Sequence, residues 1–237
     1  MKRGLLCLLS AAALLAQSDT SKVDQKASLE VKRIQAANAA FHEMMDAKDG
    51  GIAQDILEDA QCIGIVPNLK RAAFIFGGEY GRGIVTCRNG KNGWTAPSMI
   101  AVQGGSFGLQ AGASEADLVF AVMKRSGMDK LLSDKFSIGG NVSGAIGPVG
   151  RDIKARTDAT MKAEILSWSR ARGVFAGVSL EGSSIHADKD ANAELYGKEM
   201  HHAEILSGKV PPPDAARPLL TTLSRYVPKT QKTTGGE

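Results

Sequence analysis

Two stretches constrain the fold of this 237-residue chain more than any other feature: residues 139–151, Gly-Gly-Asn-Val-Ser-Gly-Ala-Ile-Gly-Pro-Val-Gly-Arg, and residues 172–186, Arg-Gly-Val-Phe-Ala-Gly-Val-Ser-Leu-Glu-Gly-Ser-Ser-Ile-His. Both alternate small and apolar residues with the period of a strand, and both set glycine where most strands carry a side chain. Glycine weakens a strand unless another group packs against the bare backbone or the strand must bend. The pattern therefore predicts a tightly packed β scaffold. Neither stretch offers a nucleophile with an evident base or a cluster of metal ligands, which points to contact rather than chemistry.

Around these stretches the chain reads as α+β: an N-terminal helical segment on a compact, mainly antiparallel glycine-rich β body, with a flexible C-terminal tail. Ser28 to Lys48 is the best helix candidate, because Ile34, Ala37, Phe41, Met44 and Met45 recur at helical spacing. Gly50-Gly51 ends it, and Ile52 to Ala60 reads as a second short helix. Strands are expected at Ala72–Gly77 and Gly83–Arg88, with a turn at Asn89-Gly90, and then at Ser98–Gln103, Ser106–Ala111 and Asp117–Met123. A helix over Ser126–Lys135 precedes strands at Phe136–Ile146, Ala163–Ser169 and Gly173–Ile185; Ala191–Leu206 reads as helix. Residues 207–237, with Pro211-Pro212-Pro213 and a Thr/Lys/Gly end, read as a Pro-rich flexible tail.

Lys2 and Arg3 followed by an apolar run to Leu15 and a small residue at Ala16 form a secretory signal pattern over 1–16, too short to span a membrane. Residues 17–27 read as a polar linker. Cys7 stands too near the start for lipoprotein processing. Without Lys2 and Arg3 the formal charge of +4 falls to about +2, too small for the basic footprint of a nucleic-acid binder. Cys62 and Cys87 remain beyond the signal; export permits a disulfide between them, and two buried thiols on neighbouring strands is the other reading.

Six pieces, in order, resemble the SYLF-domain family of lipid-binding proteins: Gly64-Ile-Val-Pro-Asn-Leu-Lys-Arg-Ala-Ala-Phe-Ile-Phe-Gly77, Trp94-Thr-Ala-Pro-Ser-Met-Ile100, Gly108-Leu-Gln-Ala-Gly112 with Asp117-Leu-Val119, Ala145-Ile-Gly-Pro-Val-Gly-Arg151, Gly173-Val-Phe-Ala-Gly-Val-Ser-Leu-Glu-Gly182, and Asn192 with Tyr196-Gly197. The resemblance implies a domain over 28–206 that binds lipid or a membrane surface, without catalysis and without a cofactor. With the signal pattern, it implies an exported, periplasmic or envelope-associated bacterial protein that is not a lipoprotein. The partner expected is an anionic phospholipid head group. Some yeast relatives bind actin, which an exported protein is not expected to meet.

Basic residues beside glycine turns and strand ends supply candidate head-group ligands: Lys70, Arg71, Arg82, Arg151 and Arg172. Phe41, Met44 and Met45 on the first helix are candidates for membrane insertion, although its balanced charge favours packing on the sheet. Competing chemistry is weaker. Gly104-Gly-Ser106-Phe-Gly108 matches a nucleophile elbow, but the residues after Ser106 continue a strand pattern and no histidine is paired with it by spacing, so a serine hydrolase is the minor alternative. Asp188, Asp190, Asn192 and Glu199 imitate a calcium loop that lacks its glycine, since Ala193 stands there; a helix cap at Asp188 or Asp190 explains the same residues. Adjacent His201 and His202 diverge on a helix, so no metal site is expected. A structural envelope module that recognises another protein remains the second alternative.

Overall fold

The computed structural model describes residues 29–47, 51–73, 76–90, 93–107, 112–149 and 162–227. The signal and linker (1–27), Lys48, Arg151 and the last ten residues lie outside them. Helix α1 (29–45) and α2 (Gln54–Glu58) precede one long antiparallel hairpin, β1 (Cys62–Ala73) with β2 (Phe76–Cys87), and two further long strands that flank it, β3 (Ser98–Phe107) antiparallel on β2 and β4 (Gly112–Val122) antiparallel on β1. There follow α3 (Arg125–Leu131), β5 (Lys135–Ser137), β6 (Gly144–Ile146), β7 (Ile165–Ala171), β8 (Val174–Gly177), β9 (Ser183–Ala187), α4 (Lys189–Tyr196), α5 (His202–Ile205) and, after a 3₁₀ turn, α6 (Arg217–Tyr226). The nine strands form one sheet in the order β5-β9-β3-β2-β1-β4-β7-β6, with β8 on β7; only β6–β7 is parallel.

Strand alternation sorts the core into two layers. Ile63, Ile65, Ile84, Met99, Val119 and Trp168 face α1 and α6, while Val66, Val85, Val102, Phe120, Ile165 and Phe136 form the other layer. Phe136 of β5 and Ile165 of β7 come from near opposite ends of the strand order yet meet in that second layer, so the sheet curls around it. The glycines make this possible. A Cβ on Gly64 would sit 2.0 Å from the Phe120 ring, and one on Gly147 would sit 2.1 Å from the Trp168 indole. These aromatic rings lie on bare backbone, the close approach that offsets the weakness of glycine in a strand.

Several boundaries differ from the sequence reading. The apolar run Ala72–Gly77 is not one strand: β1 ends at Ala73 and β2 begins at Phe76. Ser106 and Phe107 close β3 rather than opening a new strand. The stretches 136–146 and 173–185 are each broken, at Gly139 (φ 84°) and Gly182 (φ 85°), where the positive dihedral that glycine tolerates turns the chain. The expected helix 191–206 starts at Lys189, stops at the left-handed Gly197 and resumes at His202.

The largest correction concerns the tail, which is ordered through Val227 and carries the domain past 206. Ala216, Leu219, Leu223 and Val227 are fully buried in the layer that holds Phe41 and Met44. Phe41 packs edge-on against Tyr226, whose hydroxyl donates to Asp46 at 2.7 Å. Leu219 and Leu223 recur one turn apart and give α6 an apolar stripe, so composition alone misjudged the segment.

Phe41 and Met44 are fully buried and Met45 packs half-buried beside them. This corrects their assignment as insertion candidates. A strip that already seals the sheet is not available to a bilayer unless α1 leaves the core.

Candidate functional site

Registers place the basic candidates together at one end of the sheet. Gln103, Tyr80, Lys70 and Glu115 form a row across β3, β2, β1 and β4. Arg71 lies one residue further out, paired with Glu79, and Arg82 lies two residues inward of Tyr80 on the same face. β7 stops at Ala171, and Arg172 (φ 49°) and Gly173 (φ 83°) turn the chain into β8 beside this row. Lys70, Arg71, Arg82 and Arg172 thus share one end of the molecule. They do not share one face, since alternation puts Lys70 and Arg82 on the α1 side and Arg71 on the other.

Three of the four have acidic neighbours. Lys70 stands 3.6 Å from Glu115, and Arg82 stands 3.6 Å from Asp188 and donates to the Tyr80 hydroxyl at 2.8 Å. That last hydrogen bond, ahead of every other influence, raises the Arg82 pKa. Arg71 donates to Glu79 at 2.8 Å, and Ser183 donates to the other oxygen of that carboxylate. Lys70 and Glu115 keep 73% and 59% of their side chains exposed, so their pair is of the weakly held surface kind, worth about 0–1 kcal/mol, whereas Asp188 is only 12% exposed and is also held by Arg33. At Lys70 a phosphate can replace the carboxylate at little cost. A shallow depression of about 270 Å³ opens beside Arg82, lined by Tyr80, Gln103, His186, Asp188 and Lys189. Tyr80 and Val174 add large, exposed apolar surface at the same level.

A second polar cluster lies between β3 and the helices behind it. Asn192 accepts from the Met99 amide at 2.7 Å and donates to the Met99 carbonyl at 3.1 Å. The Tyr196 hydroxyl donates to the Pro97 carbonyl at 2.6 Å. Ser98 Oγ lies 2.6 Å from His202 Nδ1. Burial lowers the His202 pKa to about 4, against a backbone hydrogen bond at Leu131, so its ring is neutral near pH 7. Spacing missed this serine–histidine pair, which involves Ser98 and not Ser106. Ser98 has no solvent exposure, so the hydroxyl meets no substrate from outside. The cluster clamps α4 and α5 onto β3, and it accounts for Asn192, Tyr196 and Gly197 as a unit.

Two residues of the apparent calcium loop, Asp188 and Asn192, are committed elsewhere. Asp188 caps α4 by accepting from the Ala191 amide and pairs with Arg33 at 3.0 Å, while Asn192 holds β3. Among the described residues no group of three or more His, Cys, Asp or Glu is placed to hold a metal ion. Cys62 and Cys87 occupy paired positions at the inner end of β1 and β2 and are joined by a disulfide.

The profile of the Ysc84 family, described as "Las17-binding protein actin regulator", matches residues 103–226. The "LAS seventeen-binding protein 3" of Saccharomyces cerevisiae is 35% identical over 192 residues, covering 79% of this chain and 41% of the yeast protein. The same yeast's "Protein YSC84" is 36% identical over 171 residues, 71% of this chain and 36% of its own length. The human "SH3 domain-containing YSC84-like protein 1" is 30% identical over 179 residues, 75% of this chain and 52% of that protein. The chain thus spans about half the length, or less, of these relatives.

Proposed function

The chain belongs to the Ysc84 family, whose shared unit is the SYLF domain, and on that premise we propose that it is a non-catalytic protein that binds the anionic phospholipid surface of a bacterial cell envelope. The observation that carries this reading is the gathering of Lys70, Arg71, Arg82 and Arg172 at one end of the sheet, with exposed Tyr80 among them and exposed Val174 following Arg172 on β8. Each cation near an anionic surface contributes about 1 kcal/mol, and the exposed Glu115 carboxylate beside Lys70 exchanges readily for phosphate. Export to the periplasm is supported by the signal pattern and by the Cys62–Cys87 disulfide, since such bonds persist in oxidising compartments. Among the described residues no helix is long and apolar enough to cross a membrane, in keeping with surface binding.

The test is co-sedimentation with phosphatidylglycerol vesicles. The quadruple variant K70Q/R71Q/R82Q/R172Q is expected to bind about tenfold more weakly, and wild-type binding is expected to fall as salt rises. Undiminished binding of the folded variant refutes the assignment.

A second reading rests on the relatives. The family is described as a Las17-binding actin regulator, and one of the yeast relatives is named for binding LAS seventeen. The expectation that actin is no partner rested on export alone, and the fold lends it no support. A chain that ignores vesicles but co-sediments with actin filaments favours this reading.

A further inference from the structure

The four central strands, in the order β3-β2-β1-β4, run on past the charged row. Phe76 lies four residue steps from Tyr80 along β2, roughly 13 Å of extended chain. Neither neighbour follows, because β7 stops at Ala171 and β9 begins at Ser183, level with Gly104. Beyond Arg71, Glu79 and Glu115 this four-stranded projection carries no charged residue among those described. Its next row on the α1 side, Gly105, Gly78, Ala72 and Ala113, is exposed throughout. β2 and β3 then end with Phe76 and Phe107 at paired positions.

We propose that this projection is the part of the molecule that enters the bilayer, the uncharged ends of β1–β4 passing the head groups of a phospholipid surface while the row of Lys70, Glu115, Arg71, Glu79 and Tyr80 stays among them. The proposal rests on the lipid-surface reading above and names the element that penetrates. Charge complementarity selects the occupant. Both signs of charge stand at one level, as in a layer of phosphate and ammonium head groups, and none stands beyond it, as in the acyl layer. Tyr80, with an apolar ring and a polar tip, occupies the boundary where such residues are favoured in membrane proteins. The geometry also limits the depth. On the projection, β3 has no partner beyond β9 and β4 none beyond β7 among the described residues, so their outer amides and carbonyls need water. Open sheet edges do not persist in hydrocarbon. Entry therefore stops at the boundary between head groups and acyl chains, the depth at which interfacial helices lie.

The experiment uses the full chain and mixed phosphatidylethanolamine–phosphatidylglycerol vesicles. G105E/A113E places carboxylates on the two outer strands of the projection, where a side chain on Gly105 meets nothing within 4 Å and Ala113 is exposed. Wild type is expected to keep a bound fraction at high salt, and the variant is expected to lose at least about tenfold of it with an unchanged circular dichroism spectrum. A113W supplies an independent readout: its emission shifts to the blue on vesicles, over a background of buried Trp94 and Trp168. Wild-type binding by G105E/A113E, or an unshifted A113W spectrum on bound protein, overturns the insertion while leaving head-group binding intact. A wild-type chain that ignores the vesicles overturns both.

Discussion

Ile63, Ile65, Ile84 and Val119 lie fully buried where the central strands pass under α1 and α6; further along the same strands, Ala72, Gly78, Gly105 and Ala113 lie open. The inner end carries the disulfide, the Asn192 clamp and the bulky side chains. The outer end carries glycine and alanine above a belt of ion pairs. Glycine serves both ends by different means. At Gly64 and Gly147 it admits an aromatic ring against the backbone, whereas at Gly105 a side chain would meet nothing within 4 Å. The same residue type therefore marks tight packing at one end and an uncovered surface at the other, and only the neighbours tell them apart.

If that division holds, changes at the inner end alter stability and changes at the outer end alter binding. The largest effect is expected at Trp168, which is fully buried over Gly147 and donates to the Pro148 carbonyl at 2.9 Å. W168A should cost about 3–5 kcal/mol in denaturant unfolding. In α6, L223A should cost about 2–5 kcal/mol; a loss below about 0.5 kcal/mol would return residues 207–227 to the status of a tail.

Acid should act through His202. Its folded pKa is lowered by burial from 6.5 to about 4, so the unfolded chain binds the extra proton between those values. Stability is fully present above pH 6.5 and falls by roughly 3 kcal/mol as pH drops to about 4. Unfolding measured across that window should lose most of this slope in H202Q. Glu164 acts lower still: hydrogen bonds from Ser126, the Ser143 amide and Lys130 hold its pKa down to about 2, so its contribution, present above 4.5, fades as pH falls toward 2.

Reducing the Cys62–Cys87 bond, which spans 25 residues, should cost about 3 kcal/mol by the loop-entropy estimate without altering vesicle binding by folded protein. The smallest effect on stability belongs to the outer end, where G105E/A113E should shift unfolding by less than about 0.5 kcal/mol.

Much of the inner end was legible in the sequence. The spacing of Ile34, Ala37, Phe41 and Met44 fixed both the first helix and its buried stripe, and the glycine pattern announced close packing. Strand ends were harder. Phe74-Ile75 continues the apolar run between β1 and β2, so composition shows no break there. α6 was lost behind Pro211–Pro213, although Pro218 near its start and the Leu219–Leu223 spacing were its signals. The candidate site was half legible. Basic residues beside turns could be named, but the pairings that gather them, divide them between two faces and set carboxylates beside them depend on register, which no single strand encodes. The Ser98–His202 pair spans 104 positions and has no local signature.

The division between the two ends is tested most directly by amide hydrogen exchange of the full chain with and without phosphatidylethanolamine–phosphatidylglycerol vesicles. New protection confined to the outer ends of β1–β4, with α1, α6 and the inner strands unchanged, is the predicted result. Protection that falls on α1 instead, or is spread evenly over the chain, would contradict it.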